Sequence, residues 1–309
     1  MRKSDFELER SVILQEIAMS DDNHEEMIYD HYFDRAFGKH PIGRPILGNQ
    51  SSIGAMTMKQ VRDWYDTHYS GPNLIVSAAG DIEHQDLVNE LSKAMMGKRK
   101  TKVKSKRVKP RHLPIREVIE KQGEQLHLLM GLPATSFRDK FRFEAFIVNA
   151  LMGGGMTSRL YQRVREKKGL VYTIYSQLNT FVDFGLITMY AACEPKNMKS
   201  VIKTVQSEFR RLEQKGVRPS DIEIFKTQVK GSLLLGADDV ENRMSSIAVN
   251  EMVYGEYRPV EHVINEINAV TPKTVKEFMR EYYRGEKWGV MLLGANAEAH
   301  RGLIEDLKI

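Results

Sequence analysis

An internal repeat constrains the fold of this chain more than any other feature. Residues 57–80 align without gaps onto residues 271–294, and each copy contains the pattern of an amphipathic helix followed by an apolar strand that ends at glycine. The matching pairs include Thr57/Thr271, Lys59/Lys273, Val61/Val275, Trp64/Phe278, Tyr69/Tyr283, Val76/Val290 and Gly80/Gly294. Either two helix–strand units are similar by chance, or the chain carries two homologous domains.

The repeat also predicts that the first domain is truncated. If each copy closes a domain, the second domain has residues 115–270 ahead of its copy, whereas the first has only residues 1–56. We therefore expect further residues of the first domain to precede Met1. A targeting signal would lie there too, so the residues at hand leave the compartment open.

Alternating strand and helix patterns predict an α+β fold with two homologous domains, each a mainly antiparallel sheet covered by helices. The predicted boundaries are 1–97 for the C-terminal part of the first domain, 98–114 for a linker and 115–309 for the second domain. Asn73–Ala79 (NLIVSAA) is predicted to be a buried strand that ends at Gly80.

The net charge of +5 comes from one segment, because Lys98–Arg111 holds nine basic residues and no acidic one. A solvated linker is the favoured interpretation, and a nucleic-acid or membrane-surface contact is the alternative. We expect no nucleic-acid partner and no membrane span, since no apolar run approaches the roughly 20 residues that a span needs. The single cysteine, Cys193, excludes an internal disulfide.

Two glutamates near the N-terminus are placed unusually. At helical spacing, Glu9 and Glu16 fall within the apolar stripe formed by residues such as Ile13 and Ile17. Carboxylates on a buried face need a cation. A neighbouring Lys or Arg or a transition metal would serve, while no acidic loop of the calcium-binding type is nearby.

The chain cannot build a conventional catalytic zinc site from its own histidines. Such sites usually take two histidines from H-E-x-x-H or H-x-x-E-H. None of the nine histidines is four residues from another, and His24 and His31, seven apart, are interpreted as a solvated pair.

Three segments resemble one enzyme family. ERSVILQEI (9–17), HPIGRPILG (40–48) and WYDTHYSGPNLIVSAAGDI (64–82) are similar to the zinc metallopeptidases of the pitrilysin/insulinase type, and most of all to their processing-peptidase branch. The resemblance continues through LMGGGMTSRLYQRVREKKGLVYTIYS (151–176) and covers nearly the whole chain. Members of this family contain paired homologous α+β domains.

The resemblance implies roles for four residues. Glu16 matches the glutamate ligand of Zn²⁺, and Glu9 matches a glutamate that supports the site without binding the metal. The remaining ligands belong to an H-x-x-E-H motif that is expected before Met1. Arg165 and Tyr172 match a pair that contacts the substrate, the arginine at peptide carbonyls and the tyrosine at the oxyanion. Gly169 would let the chain turn so that both face one cleft.

The sequence therefore predicts a portion of a zinc-dependent endopeptidase that cleaves peptides or unfolded polypeptides. We expect the isolated chain to be inactive, because it retains one of three zinc ligands. The partners implied are a peptide substrate, added to an exposed sheet edge, and a family chain in a homo- or heterodimer. The alternative is a non-catalytic subunit or scaffold that pairs with a metal-bearing chain.

Overall fold

The computed structural model describes residues 2–95, 107–283, 287–305 and 307, and these divide into two compact units. The first unit comprises Met1–Ile17, Leu47–Val108 and Lys230–Val263, and the second comprises Ala18–Ile46, Lys109–Val229 and Ile264–Ile309. Most of the basic run predicted as a linker lies outside the described residues, which resume at Arg107. The domain boundaries drawn from the sequence stay predictions.

Helices make up most of the regular structure. They are α1 (Lys3–Asp22), α2 (His24–Phe37), α3 (Gln50–Ala55), α4 (Met58–His68), α5 (His84–Ala94), α6 (Arg142–Gly153), α7 (Met198–Lys215), α8 (Pro219–Ala237), α9 (Val240–Tyr254), α10 (Val260–Asn268), α11 (Pro272–Tyr282) and α12 (Gly302–Glu305). The strands are β1 (Arg116–Glu120), β2 (Leu126–Ala134), β3 (Thr173–Thr180), β4 (Gly185–Cys193) and β5 (Gly289–Gly294). Within the described residues, no helix is both long enough and apolar enough to cross a bilayer.

The five strands form one sheet in the second unit, in the order β1-β5-β2-β4-β3. The β1–β5 pair is parallel and the other three pairs are antiparallel. The predicted α+β class with a mainly antiparallel sheet is therefore confirmed. β3 and β1 are the edge strands, and each pairs with a single neighbour among the described strands.

Helices cover both faces of this sheet. Alternate residues of β2, such as Leu128 and Met130, join the larger core with α6, α7 and α11. The intervening Leu129 joins a second core with Ile28 and Tyr32 of α2. Strands buried on both faces carry continuous apolar runs, and every residue of β4 and β5 is buried.

A pair of glycines seats α2 on the sheet. Gly131 and Gly289 are directly opposite each other in β2 and β5, and a Cβ at either position would collide with the hydroxyl of Tyr32. That hydroxyl is joined by a 2.7 Å hydrogen bond to Nε2 of His112. Burial raises the pKa of Tyr32 and lowers the pKa of His112 to about 4, so both side chains are neutral at pH 7.

The two copies of the repeat share their helical geometry. α4 and α11 each begin after a threonine, Thr57 or Thr271, whose side chain accepts a hydrogen bond from the backbone N–H of the third residue of the helix. The side chain of that third residue accepts a hydrogen bond from the backbone N–H of the threonine in return. The glycines that end the two copies have nearly the same backbone angle, φ 134° at Gly80 and 129° at Gly294. The two copies therefore match in the local geometry of their helices and of the glycines that end them.

The strand halves of the repeat differ, and here the prediction from sequence is wrong. Residues 73–79 form no strand, and Leu74, Ile75 and Val76 are exposed. The equivalent β5 lies between β1 and β2, which supply its hydrogen-bond partners on both sides. An apolar segment becomes a buried strand only when such partners meet it, and no described strand pairs with residues 73–79.

Candidate functional site

A short π-helix, Tyr161–Glu166, stands at the centre of the candidate site in the second unit. Its wide turn is closed by the N–H of Lys167, which donates to the carbonyl of Gln162 at 3.0 Å. Leu160 and Val164 are fully buried and fix one side of this segment in the core. π-Helical turns are rare and are frequently found at functional sites.

Two arginines, one within the π-helix and one just before it, are held by buried carboxylates. Arg163 pairs with Glu208 of α7, whose side chain is fully buried, and Arg159 pairs with Asp221 of α8 at 3.3 Å. Asp221 also accepts from Arg218, and these arginines hold the pKa of its carboxyl below the usual value although burial alone would raise it. Apolar packing and the Arg163–Glu208 ion pair thus fix the inner side of the π-helix, and the Arg159–Asp221 pair fixes the turn before it.

Arg165 has a different environment from its neighbours. Its guanidinium carbon lies 4.9 Å from the ring centroid of Tyr161 and 5.3 Å from that of Tyr172. No carboxylate of a described residue lies within ion-pair distance of Arg165. The structure therefore brings the predicted pair, Arg165 and Tyr172, together, and it adds Tyr161, which sequence reasoning missed.

The turn after the π-helix determines where Tyr172 lies. Gly169 adopts φ +58°, a conformation that favours glycine, and its N–H donates to the carbonyl of Arg165 at 2.9 Å. The chain then reverses into β3, which begins at Thr173. Tyr172 is 75% exposed at the start of this edge strand. The predicted role of Gly169 in the turn agrees with this geometry.

Glu9 and Glu16 lie on α1 in the first unit, and both are exposed. The premise that they are buried is wrong, because the apolar stripe around them is only partly covered. Val12 is exposed, and Ile17 is the buried residue of the helix. Neither glutamate pairs with a described lysine or arginine, and solvated carboxylates have no need of one.

The described residues do not fit a complete zinc site. Catalytic zinc takes three protein ligands, and no group of three His, Cys, Asp or Glu side chains in the described part of the chain is arranged to hold a metal ion. Glu16 therefore belongs to no three-ligand group among the described residues. No reaction step through a metal follows from these residues.

A second polar cluster lies where α2 meets the sheet, and sequence spacing did not predict it. His24 stacks on His127 of β2 with ring centroids 5.2 Å apart, so its partner is not His31 as the sequence suggested. Nδ1 of His127 is 2.8 Å from the hydroxyl of Tyr190. Burial, and to a lesser degree the charge of His24, lowers the pKa of His127 to about 4. These histidines are 103 positions apart, and the packing of α2 on the sheet brings them together.

A cavity of about 430 Å³ adjoins this histidine pair. Its lining is largely polar and includes Glu25, Glu124 and Thr173. The hydroxyl of Tyr175 donates to Glu25 at 2.6 Å, which ties the first turn of α2 to β3. The cluster therefore secures α2 on the sheet.

Comparisons with known proteins agree with this architecture. A family model described as the peptidase M16 inactive domain matches residues 55–229. A Mycobacterium tuberculosis protein named an uncharacterized zinc protease is 31% identical over 309 residues, which cover 98% of this chain and 70% of that protein. The crystal structure of a peptidase M16 inactive domain from Pseudomonas fluorescens has a TM-score of 0.82 at 18% identity, over 96% of this chain and 71% of that one. A chain of complex III2 from Candida albicans has a TM-score of 0.79 at 16% identity, over 96% of this chain and 74% of that one.

These similarities carry different weight. The two solved structures have low sequence identity and show the fold. The family model covers more than half of the chain, and the mycobacterial relative is matched along nearly all of it. The chain therefore belongs to the peptidase M16 family.

Proposed function

We propose that this chain is the substrate-binding portion of a zinc-dependent endopeptidase that acts on extended peptides or unfolded polypeptides. Arg165 and Tyr172 contact the peptide, and the chain is inactive in isolation. The observation that carries this proposal is the Arg165 guanidinium, which lies over Tyr161 and Tyr172 on an M16 fold with no carboxylate among the described residues to neutralise it.

The chemistry of this pair suits peptide binding. A guanidinium presents five N–H donors in a fixed plane, and carbonyl oxygens of an extended peptide accept them. A tyrosine hydroxyl can donate to an oxyanion as a peptide carbonyl becomes tetrahedral. Tyr172 is mostly exposed, and its hydroxyl has no hydrogen-bond partner among the described residues, so it can donate to a ligand.

The neighbouring edge strand offers a place for the peptide backbone. β3 starts directly after Tyr172 and pairs only with β4 among the described strands. A peptide that adds to such an edge gains main-chain hydrogen bonds whatever its side chains. Its backbone would then pass close to Arg165 and Tyr172, which supports the proposed contacts.

Removal of the Arg165 charge tests this function on the chain itself. We expect Arg165→Met to weaken binding of fluorescein-labelled β-casein, an unstructured polypeptide, by about tenfold, because hydrogen bonds to a charged donor are worth roughly 1.5–3 kcal/mol. Fluorescence anisotropy measures the dissociation constant. Arg138→Met, at an exposed arginine outside the π-helix, is the matched control and should bind as the unsubstituted chain does. Equal binding by both variants would contradict the proposal.

Zinc enters the proposal through Glu16. We propose that Glu16 is one ligand of the family's metal, with Glu9 holding it in place from the same face of α1. The two histidine ligands would come from an H-x-x-E-H motif that the 309 residues do not contain. Held by Glu16 and those two histidines, such a metal would supply Lewis-acid chemistry.

The alternative function is a non-catalytic subunit of an assembly with a metal-bearing family chain. The similarity to a chain of complex III2 and to M16 inactive domains favours it. In either case we propose a homo- or heterodimer with a family chain.

Zinc analysis separates the two functions. The sample is a complex between this chain and a family polypeptide that carries H-x-x-E-H. If Glu16 is a ligand, Glu16→Gln lowers the bound zinc at least tenfold, which is the order of effect even of groups that only support a ligand. Glu7→Gln, on the same helix, is the control and should leave zinc unchanged. Undiminished zinc in Glu16→Gln would favour the scaffold.

A further inference from the structure

We propose that Tyr161 is a positioning residue for Arg165: its ring fixes the guanidinium so that the N–H donors point to the peptide. This inference rests on the proposed function, since it assigns a role within the same site. It names a residue that neither the repeat nor the resemblance singled out. The contact that suggests it is the 4.9 Å approach of the Arg165 guanidinium to the Tyr161 ring.

An aromatic ring holds an arginine without occupying its donors. A carboxylate would bind the N–H groups in the guanidinium plane, and peptide carbonyls would have to compete with it. A ring contacts the face of the guanidinium and leaves the in-plane donors open. The neighbouring Arg163 shows the contrast, because its guanidinium is bound by the buried carboxylate of Glu208.

Of the two tyrosines, Tyr161 is the one suited to hold Arg165 in place. Tyr172 is 75% exposed and follows a turn, whereas Tyr161 is half-buried and starts the π-helix. Leu160, immediately before it, is fully buried. The ring of Tyr161 therefore stands on a backbone that the core already fixes.

The benefit of this contact is a smaller entropy loss on binding. A free arginine side chain has several rotatable bonds and loses rotamer entropy when a ligand fixes it. A ring that already restricts the side chain reduces the part of this cost that falls on peptide binding. A cation–π contact of this kind is worth about 0.5–2 kcal/mol, which corresponds to a change of roughly 2- to 30-fold in affinity.

Three variants of the full chain test the role. Tyr161→Phe keeps the ring and removes a hydroxyl that has no hydrogen-bond partner among the described residues. Tyr161→Leu removes the ring and keeps an apolar side chain. The double variant Tyr161→Leu/Arg165→Met shows whether the two residues act together. Binding of fluorescein-labelled β-casein is measured by anisotropy, and thermal unfolding is followed in parallel.

The expected pattern is specific. Tyr161→Leu weakens binding about three- to tenfold, Tyr161→Phe binds within about twofold of the unsubstituted chain, and the double variant is no weaker than Arg165→Met alone. A matched control is Tyr254→Leu, which removes the ring beneath Arg258 at a similar contact of 4.3 Å in the first unit. It should leave peptide binding unchanged.

Several results would overturn the inference. If Arg165→Met weakens binding but Tyr161→Leu does not, the proposed function stands and the role of Tyr161 fails. Additive losses in the double variant also refute it. If Arg165→Met has no effect, or if the unsubstituted chain binds no β-casein, the proposed function and this inference fail together.

A measurement that needs no ligand tests the contact directly in variants that thermal unfolding shows to be folded. In the NMR spectrum, the Arg165 Nε–H signal should carry a ring-current shift in the unsubstituted chain and in Tyr161→Phe. A smaller shift in Tyr161→Leu supports the contact, since the Tyr172 ring, 5.3 Å away, still contributes to it. An unchanged shift in all three proteins contradicts it.

Discussion

Acidification from pH 6.5 to pH 4 is expected to lower the unfolding free energy of the second unit by several kcal/mol. The cause is that the fold keeps two buried histidines, His112 and His127, neutral. Burial lowers the pKa of His112 to about 4, and burial together with the charge of His24 lowers the pKa of His127 to about 4, against an ordinary value of 6.5. Each shift corresponds to about 3 kcal/mol, since one pKa unit is about 1.4 kcal/mol.

The direction of the pH effect follows from proton binding. Between pH 4 and 6.5 the unfolded chain protonates these two histidines and the folded chain does not, so stability rises with pH in this window. Their contribution is fully present above pH 6.5 and is lost as the pH falls toward 4. Protonation would also place a charge beside the hydroxyl of Tyr32 or Tyr190, both of which lie in the core between α2 and the sheet.

Urea unfolding at several pH values measures this effect. Trp288 is buried in the second unit and Trp64 lies in the first, so a Trp64→Phe background leaves one reporter of the second unit. His127→Gln is expected to reduce the pH slope by up to about half, because one of the two titrating groups is removed. His84→Gln, at an exposed site in the first unit, is the control and should leave the slope unchanged. A slope that His127→Gln leaves intact would refute the assignment.

The α+β class with a mainly antiparallel sheet was predicted correctly because the signals for strands are local. β2, β4 and β5 carry apolar runs long enough for strands and are bounded by turn residues. The repeat located α4 and α11 for the same reason, since a threonine cap acts within one turn of helix. Local patterns of this kind do not depend on distant residues.

The errors concern burial and partners, which are not local properties. Residues 73–79 have the composition of a strand but no partner among the described strands, and Glu9 and Glu16 fall in an apolar stripe that is only partly covered. His24 meets His127 only because α2 lies across the sheet. Periodicity assigns a face to a residue, and it does not say what covers that face.

The candidate site was predicted in part for a related reason. Arg165 and Tyr172 are seven residues apart across one glycine turn, so a short-range argument was enough to bring them together. Tyr161 was missed because its spacing did not distinguish it from any other aromatic residue on an α-helix. The π-helix that begins at Tyr161 has no recognised signal in the sequence.

Arg163→Met is expected to destabilise the second unit by about 3 kcal/mol, because it leaves a buried carboxylate without its cationic partner. Glu208 is fully buried, and Arg163 is the cation that pairs with it. The second carboxylate oxygen of Glu208 has no hydrogen-bond partner among the described residues, so loss of Arg163 leaves little to compensate the charge. Removal of one partner from a buried pair typically costs about 3–5 kcal/mol, and the partial exposure of Arg163 places this case at the lower end.

The size of this effect depends on burial rather than on the ion pair itself, and two further variants show it. Arg163→Met/Glu208→Leu replaces both charges with apolar groups and should recover stability to within about 1 kcal/mol of the unsubstituted chain. Arg301→Met breaks the exposed pair with Glu298 in the same unit and should cost less than about 1 kcal/mol. Urea unfolding followed at Trp288 measures all three. If Arg163→Met costs no more than Arg301→Met, Glu208 is solvated after the arginine is lost, and the π-helix does not depend on this pair for its anchorage.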